Sequence, residues 1–192
     1  MSTHLNHYLQ AWDLSDPQLL AETPTSHVYV ITSGETQVIL KLLTPIGVEE
    51  RVGALALRFW DGHGAVRLLR HDEQAHLLEY ASGEDLVPLV KQGGDEQATA
   101  IIADVLNQLH SRSGNGLPDG LTPLKPWFRS LFKKAEADRE AGLDSIYVQA
   151  GHIAAELLDH PRDVRVLHGD IHHQNIRHHP QRGWLAFDPK GL

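Results

Sequence analysis

Residues Leu167–His179 read LHGDIHHQNIRHH, and Trp184–Gly191 follow with WLAFDPKG. The first stretch is the densest polar segment of the chain. Short apolar runs, Val164–Leu167 before it and Trp184–Phe187 after it, are expected to be strands that fix it between them. Asp170 and Asn175 stand five residues apart, and Asp188 comes directly after the second strand. Two carboxylates and an amide held on such loops make an oxygen-rich site for a hard divalent cation. Mg²⁺ accepts few protein ligands and keeps room for phosphate oxygens. One of the aspartates has an alternative use, accepting the proton of a hydroxyl nucleophile. Asp, then Asn, then a distant Asp, with a single strand lysine far upstream, is the order of parts in kinase-type phosphoryl transfer.

Working outward, that lysine is Lys41, the one charge in QVILKLL, Gln37–Leu43. This run and His27–Ile31 flank Ser33-Gly34 and are expected to form a hairpin. Leu5–Trp12 and Val48–Trp60 carry helical spacing, and Ala65–Leu69 and His76–Tyr80 read as two more strands. After the small-residue link Ala81-Ser82-Gly83, helical patterns dominate: Asp95–His110, Trp127–Ala137 and Ser145–Asp159, with a Gly- and Pro-rich loop over Ser113–Pro126. The expected architecture is α+β. A strand-rich lobe spans residues 1–80, and a mostly helical lobe spans 81–192.

Composition narrows the function classes. The chain has 192 residues, with 17 Lys and Arg against 25 Asp and Glu, a net charge of −8. That balance argues against a nucleic-acid partner. There is no cysteine, which excludes disulfides, thiolate metal sites and thiol nucleophiles. The N-terminus lacks a signal-peptide pattern, and no run approaches the roughly 20 apolar residues of a membrane span. A cytoplasmic location and no membrane partner are therefore expected. Five of the 14 histidines, His168, His172, His173, His178 and His179, crowd the C-terminal segment. They raise the rival reading of a zinc-dependent hydrolase. Against it, His172 and His173 are adjacent rather than one helical turn apart.

HGDIHHQN with WLAFDPKG resembles the aminoglycoside phosphotransferases, and more narrowly the streptomycin 6-kinase and hydroxyurea-resistance kinase branch. TSHVYVITSG, VILKLL, DGHGAVRLL and LLEYASGEDL stand in the order that branch shows. The resemblance implies a two-lobed, protein-kinase-like fold with a small antiparallel-sheet N-lobe and a helical C-lobe. It implies an antibiotic-resistance transferase that moves the γ-phosphate of ATP, with Mg²⁺, to an alcohol of a small and cationic molecule such as streptomycin. Asp170 then matches the catalytic-loop base, Asn175 and Asp188 the metal ligands, and Lys41 the strand lysine on the α- and β-phosphates. Glu50, with Glu49 as the near alternative, matches the lysine's carboxylate partner. Glu79, Tyr80 and Ala81 fall where the hinge meets adenine, and Ser26 falls in the turn over the phosphates. Asp138, Glu140, Glu156 and Asp159 are candidate carboxylates for a cationic acceptor.

Each residue also has a bland reading: Lys41 facing outward, Asp170 and Ser26 as turn formers, Glu50 as a solvated helix charge. The family continues past DPKGL with further helices. The expectation is therefore a C-terminally truncated chain with its nucleotide site in place and its acceptor pocket incomplete. The alternative is a non-catalytic remnant that binds nucleotide weakly.

Overall fold

The computed structural model describes residues 3–111 and 116–192. The start of the expected Ser113–Pro126 loop, through Asn115, lies outside the described residues. Helix α1 (Thr3–Ala11) leads into a five-stranded antiparallel sheet: β1 (Leu14–Glu22), β2 (Ser26–Ser33), β3 (Thr36–Leu43), β4 (Leu68–His71) and β5 (Ala75–Glu79), in the order β1-β2-β3-β5-β4. Between β3 and β4 come a 3₁₀ helix (Pro45–Val52) and α2 (Gly53–Trp60). Beyond the sheet lie α3 (Val87–Lys91), α4 (Asp95–Ser111), α5 (Leu124–Trp127), α6 (Arg129–Glu140) and α7 (Ile146–Asp159). A hairpin of β6 (Ile176–His179) and β7 (Gly183–Ala186) follows. No described helix is long and apolar enough to cross a membrane.

β3 takes the central place because it is apolar on both faces, as a strand covered on both sides must be. Its period of two divides the sheet. Val38, Leu40 and Leu42 join Ile31, Ala75, Leu77 and the Leu5, Tyr8 and Trp12 side chains in one apolar cluster under α1. Ile39 and Lys41 take the opposite face. Register extends that division across neighbours, since Val28 pairs with Lys41 and Lys41 with His76. A second cluster joins Leu57 and Trp60 of α2 to Val105 and Leu109 of α4 and to Ile176 and Leu185 of the β6–β7 hairpin. Packing is thus continuous across the Ala81 link.

The expected Ala65–Leu69 strand begins only at Leu68, β6 arises inside the expected polar loop, and three further elements differ from expectation, each for a physical reason. β1 is an edge strand containing Pro17, with register breaks beside it and Asp16 at φ 53°. Its sequence LSDPQLLAE has no alternation to read, and its unpaired edge tolerates the missing N–H. The expected Val48–Trp60 helix is a 3₁₀ segment followed by a short α-helix. The 3₁₀ segment is capped by Thr44 and pressed so close to the β1–β2 turn that a Cβ on Gly47 would lie 1.9 Å from the Thr25 carbonyl oxygen. Val164–Leu167 forms no sheet strand; only Leu167 exchanges backbone hydrogen bonds, with Leu192, at 2.9 and 3.2 Å.

Candidate active site

The polar face of β3 opens on a cavity of about 330 Å³. Lys41 lines it, together with Ser26, Glu50, Glu79, Tyr80, Ala81 and Asp188. Seven of the nine residues singled out from sequence therefore share one space; Asp170 and Asn175 are outside its lining. Lys41 does not face outward. Its ammonium is buried, 2.6 Å from a Glu50 oxygen, and it also donates to Asp188. Glu50 is the partner, so the choice between it and Glu49 is resolved. Burial works to lower the Lys41 pKa, but the Asp188 and Glu50 carboxylates outweigh it and hold the ammonium above its ordinary value. Burial likewise works to raise the Asp188 pKa, and the Lys41 charge overrides it to leave the carboxyl below its usual value. Beside this pair, His76 is pushed down to about 4, first by burial and then by the charge on Lys41. It is neutral at physiological pH.

Local packing fixes Asp188. The residue lies at φ 60° immediately before Pro189, a conformation that the following proline disfavours, and surrounding contacts hold it there. A Cβ on Gly53, at the start of α2, would stand 2.2 Å from the Pro189 carbonyl oxygen, and one on Gly191 would stand 2.6 Å from the Val52 oxygen. Two glycines thus let the DPKG turn seat directly on the segment that carries Glu50.

Asp170 follows Gly169, whose φ of 79° turns the chain. Its amide donates to Nδ1 of the buried His168 at 3.3 Å, and His168 Nε2 donates to the Phe187 oxygen at 3.0 Å. The ring stacks on Trp60 at a centroid distance of 6.1 Å. Burial, acting against weaker opposing contacts, lowers the His168 pKa to about 4, so a neutral imidazole braces both aspartate loops. Asn175 Nδ2 donates to the Asp170 oxygen, and the Phe187 amide donates to the Asn175 oxygen, both tying these loops together at 2.9 and 3.0 Å respectively. With Nδ2 committed, Asn175 has Oδ1 to offer. That oxygen and the Asp188 carboxylate form a donor set suited to Mg²⁺, which would complete its shell with water and phosphate.

The other readings separate. Ser26 is buried and shares hydrogen bonds with Thr23 in the β1–β2 turn, which makes it both turn former and cavity wall. The Glu79 carboxylate is engaged by the Arg67 amide at 2.9 Å and by Arg182, leaving backbone as its contribution to the cavity. Tyr80 and Ala81 make no loop backbone hydrogen bond among the described residues. Asp138 is buried and accepts from Ser145 Oγ at 2.6 Å and from Lys134, so it is a structural residue rather than a free carboxylate for an acceptor. Asp159 pairs with Lys125 at 3.7 Å. The histidine cluster disperses: His172 accepts from the Gln174 amide, His178 packs on Trp184, and His179 faces Glu79. Among the described residues no group of three or more His, Asp or Glu could hold a metal.

Several lining residues were not read from the sequence. Leu20 and Ala21 come from β1, whose strand pattern was hidden by Pro17, and Thr23 from the turn that follows it. Arg177 and Lys190 add two cations. Lys190 stands two residues past Asp188 in the same turn. Thr25, Glu50 and Lys190 also line a second cavity of about 630 Å³, bordered by Ile46, Trp127 and Arg129.

The sequence profile described as aminoglycoside/hydroxyurea antibiotic resistance kinase matches residues 11–192. The chain is 36% identical over 185 residues to a streptomycin 3''-kinase of Klebsiella pneumoniae, covering 96% of this chain and 66% of that protein. It is 35% identical over 179 residues to a streptomycin 6-kinase of Streptomyces griseus, covering 86% and 53%. It is 33% identical over 171 residues to a hydroxyurea phosphotransferase of Kitasatospora aureofaciens, covering 85% and 48%. The chain thus spans roughly half to two thirds of the length of these curated relatives. Among solved structures, the streptomycin-ATP-APH(2")-IIa ternary complex superposes with a TM-score of 0.61 at 15% identity, over 96% of this chain and 69% of that one. Aminoglycoside phosphotransferase APH(4)-Ia superposes with a TM-score of 0.59 at 16% identity, over 98% and 71%. The fold is the α+β, kinase-like fold of these enzymes.

Proposed function

We propose a function from one premise: this chain belongs to the aminoglycoside/hydroxyurea antibiotic resistance kinase family. It carries the nucleotide-binding and catalytic-loop residues of an ATP-dependent phosphotransferase that phosphorylates an alcohol of a cationic small molecule, an aminoglycoside such as streptomycin, and confers resistance to it. The observation that carries this reading is Lys41, buried between Glu50 and Asp188 on the wall of one cavity. Residues 1–80 form the nucleotide lobe in this reading, and 81–192 carry the catalytic loop. The site is cytoplasmic, where ATP is supplied, and no nucleic-acid or membrane partner is needed.

Adenine docks against the backbone of Tyr80 and Ala81, which line the cavity. The β1–β2 turn with Ser26 closes over the phosphates. Lys41 holds the α- and β-phosphates, with Glu50 keeping the ammonium oriented. Asn175 Oδ1 and Asp188 would hold Mg²⁺, which would supply charge neutralisation for the triphosphate. Asp170 aligns the acceptor hydroxyl and takes its proton. The oxygen–phosphorus bond to the acceptor forms as the bond from the γ-phosphorus to the bridging oxygen breaks, ADP departs, and Asp170 returns its proton to water.

The test is ATP turnover with Mg²⁺ across a panel of aminoglycosides and hydroxyurea, with mass analysis for one added phosphoryl group. The expected result is a phosphorylated aminoglycoside. Asp170→Asn should reduce transfer by about two orders of magnitude or more, the usual scale of a lost general base, and leave nucleotide affinity nearly unchanged. Nucleotide binding without transfer to any acceptor would make the chain a binding module instead.

A further inference from the structure

Lys190 sits where the two cavities meet, lining both of them. Its ammonium lies 3.8 Å from Glu50 Oε1 and 3.7 Å from Asp170 Oδ2. Both contacts are beyond hydrogen-bond length, so the cation is held electrostatically while its three donors stay available. Its backbone is fixed, because the Lys190 amide donates to the His168 oxygen at 2.8 Å. Together with Lys41 it completes a run of alternating charges: Asp188, Lys41, Glu50, Lys190, Asp170. This run joins the proposed metal ligand at one end to the proposed acceptor base at the other. A phosphoryl group leaving the nucleotide for a hydroxyl at Asp170 must cross the ground that Lys190 occupies.

We infer that Lys190 is the γ-phosphate-binding residue of this site, an ammonium that contacts the group in transit while Lys41 holds the phosphates that stay behind. The inference rests on the kinase reading above and divides its two lysines by task. A triphosphate then gains one contact that a diphosphate lacks. It also swaps a long-range ion pair for a direct charge-assisted one, which is the stronger interaction.

Titration calorimetry on this chain with the Mg²⁺ complexes of AMP-PNP and of ADP tests it without any acceptor. The wild type should bind AMP-PNP about tenfold more tightly than ADP, the scale of one hydrogen bond to a charged group. Lys190→Gln should bring the two affinities together while ADP affinity stays within about twofold, and Lys190→Arg should keep most of the preference. Lys190→Gln combined with Asp170→Asn separates contact from mere neutralisation of Asp170. The preference stays lost if Lys190 touches the phosphate; its return in the double variant overturns the inference. Equal affinities in the wild type overturn it without any variant, as does an unchanged preference in Lys190→Gln. A wild type that binds neither nucleotide sinks the kinase reading itself, and the inference with it.

Discussion

Lys41 shows how a single side chain can decide a site. A cation in an apolar strand usually reaches for water along its stem, but here the strand is central and both directions are covered. The charge persists because two carboxylates, Glu50 and Asp188, meet it. Lys41→Met should therefore destabilise the fold by about 3–5 kcal/mol, since it strands two facing carboxylates; urea unfolding would measure it. A variant as stable as the wild type would mean that the cluster is solvated. The neighbouring histidines set a pH dependence. His76 and His168 titrate near 4 in the folded chain and near 6.5 when unfolded, so the unfolded state binds more protons between those values. Their contribution is complete above pH 6.5 and is lost as pH falls toward 4, by at most about 3 kcal/mol each. Urea midpoints from pH 8 to 4.5 should fall, and His76→Leu should flatten the slope. Asp188 adds its own loss only below about pH 4, because its pKa is depressed rather than raised.

Among the elements, β3 was legible because its apolar run has one charge, and the loops of Asp170, Asn175 and Asp188 because a dense polar segment stands beside the short apolar run Trp184–Phe187. β1 and the 3₁₀ helix were not legible. The first lacks alternation around Pro17, and the second is set by how closely Gly47 lets the chain approach Thr25, a tertiary fact with no local pattern. Lys190 was missed for a related reason: its significance lies in proximity to Glu50, 140 positions away in sequence order by 190 − 50. The same close approach yields a test. In Gly53→Ala the new Cβ would meet the Pro189 oxygen at 2.2 Å, so α2 and the DPKG turn must separate. The expected outcome is a stability loss of about 1–3 kcal/mol, as for overpacking, with weaker nucleotide binding because Glu50 and Asp188 move apart. Unchanged calorimetric affinity would show that the turn is more compliant than its packing implies.

At the scale of the molecule, the apolar surface is unevenly covered. α4 buries Ala98, Val105 and Leu109, and none of its large apolar residues is exposed. α7 leaves Ile146, Tyr147, Ile153 and Leu157 open on its surface. A patch of this kind favours association. Ile153→Ser with Leu157→Gln should lower the apparent mass of the chain in concentrated solution, as read by light scattering, without altering its melting temperature by more than a few degrees. On the proposed kinase reading, the Lys41–Asp188 contact has a further consequence, for the timing of the catalytic cycle. A nucleotide bound as proposed would have to draw Asp188 away from Lys41, so the protein would carry its own competitor for that ammonium, tethered and never diluted. Once ADP loosens, the carboxylate is already beside the vacated charge and hinders recapture. Neutralising it, in Asp188→Asn, should therefore lengthen the residence time of metal-free ADP even as it abolishes the metal-dependent part of binding.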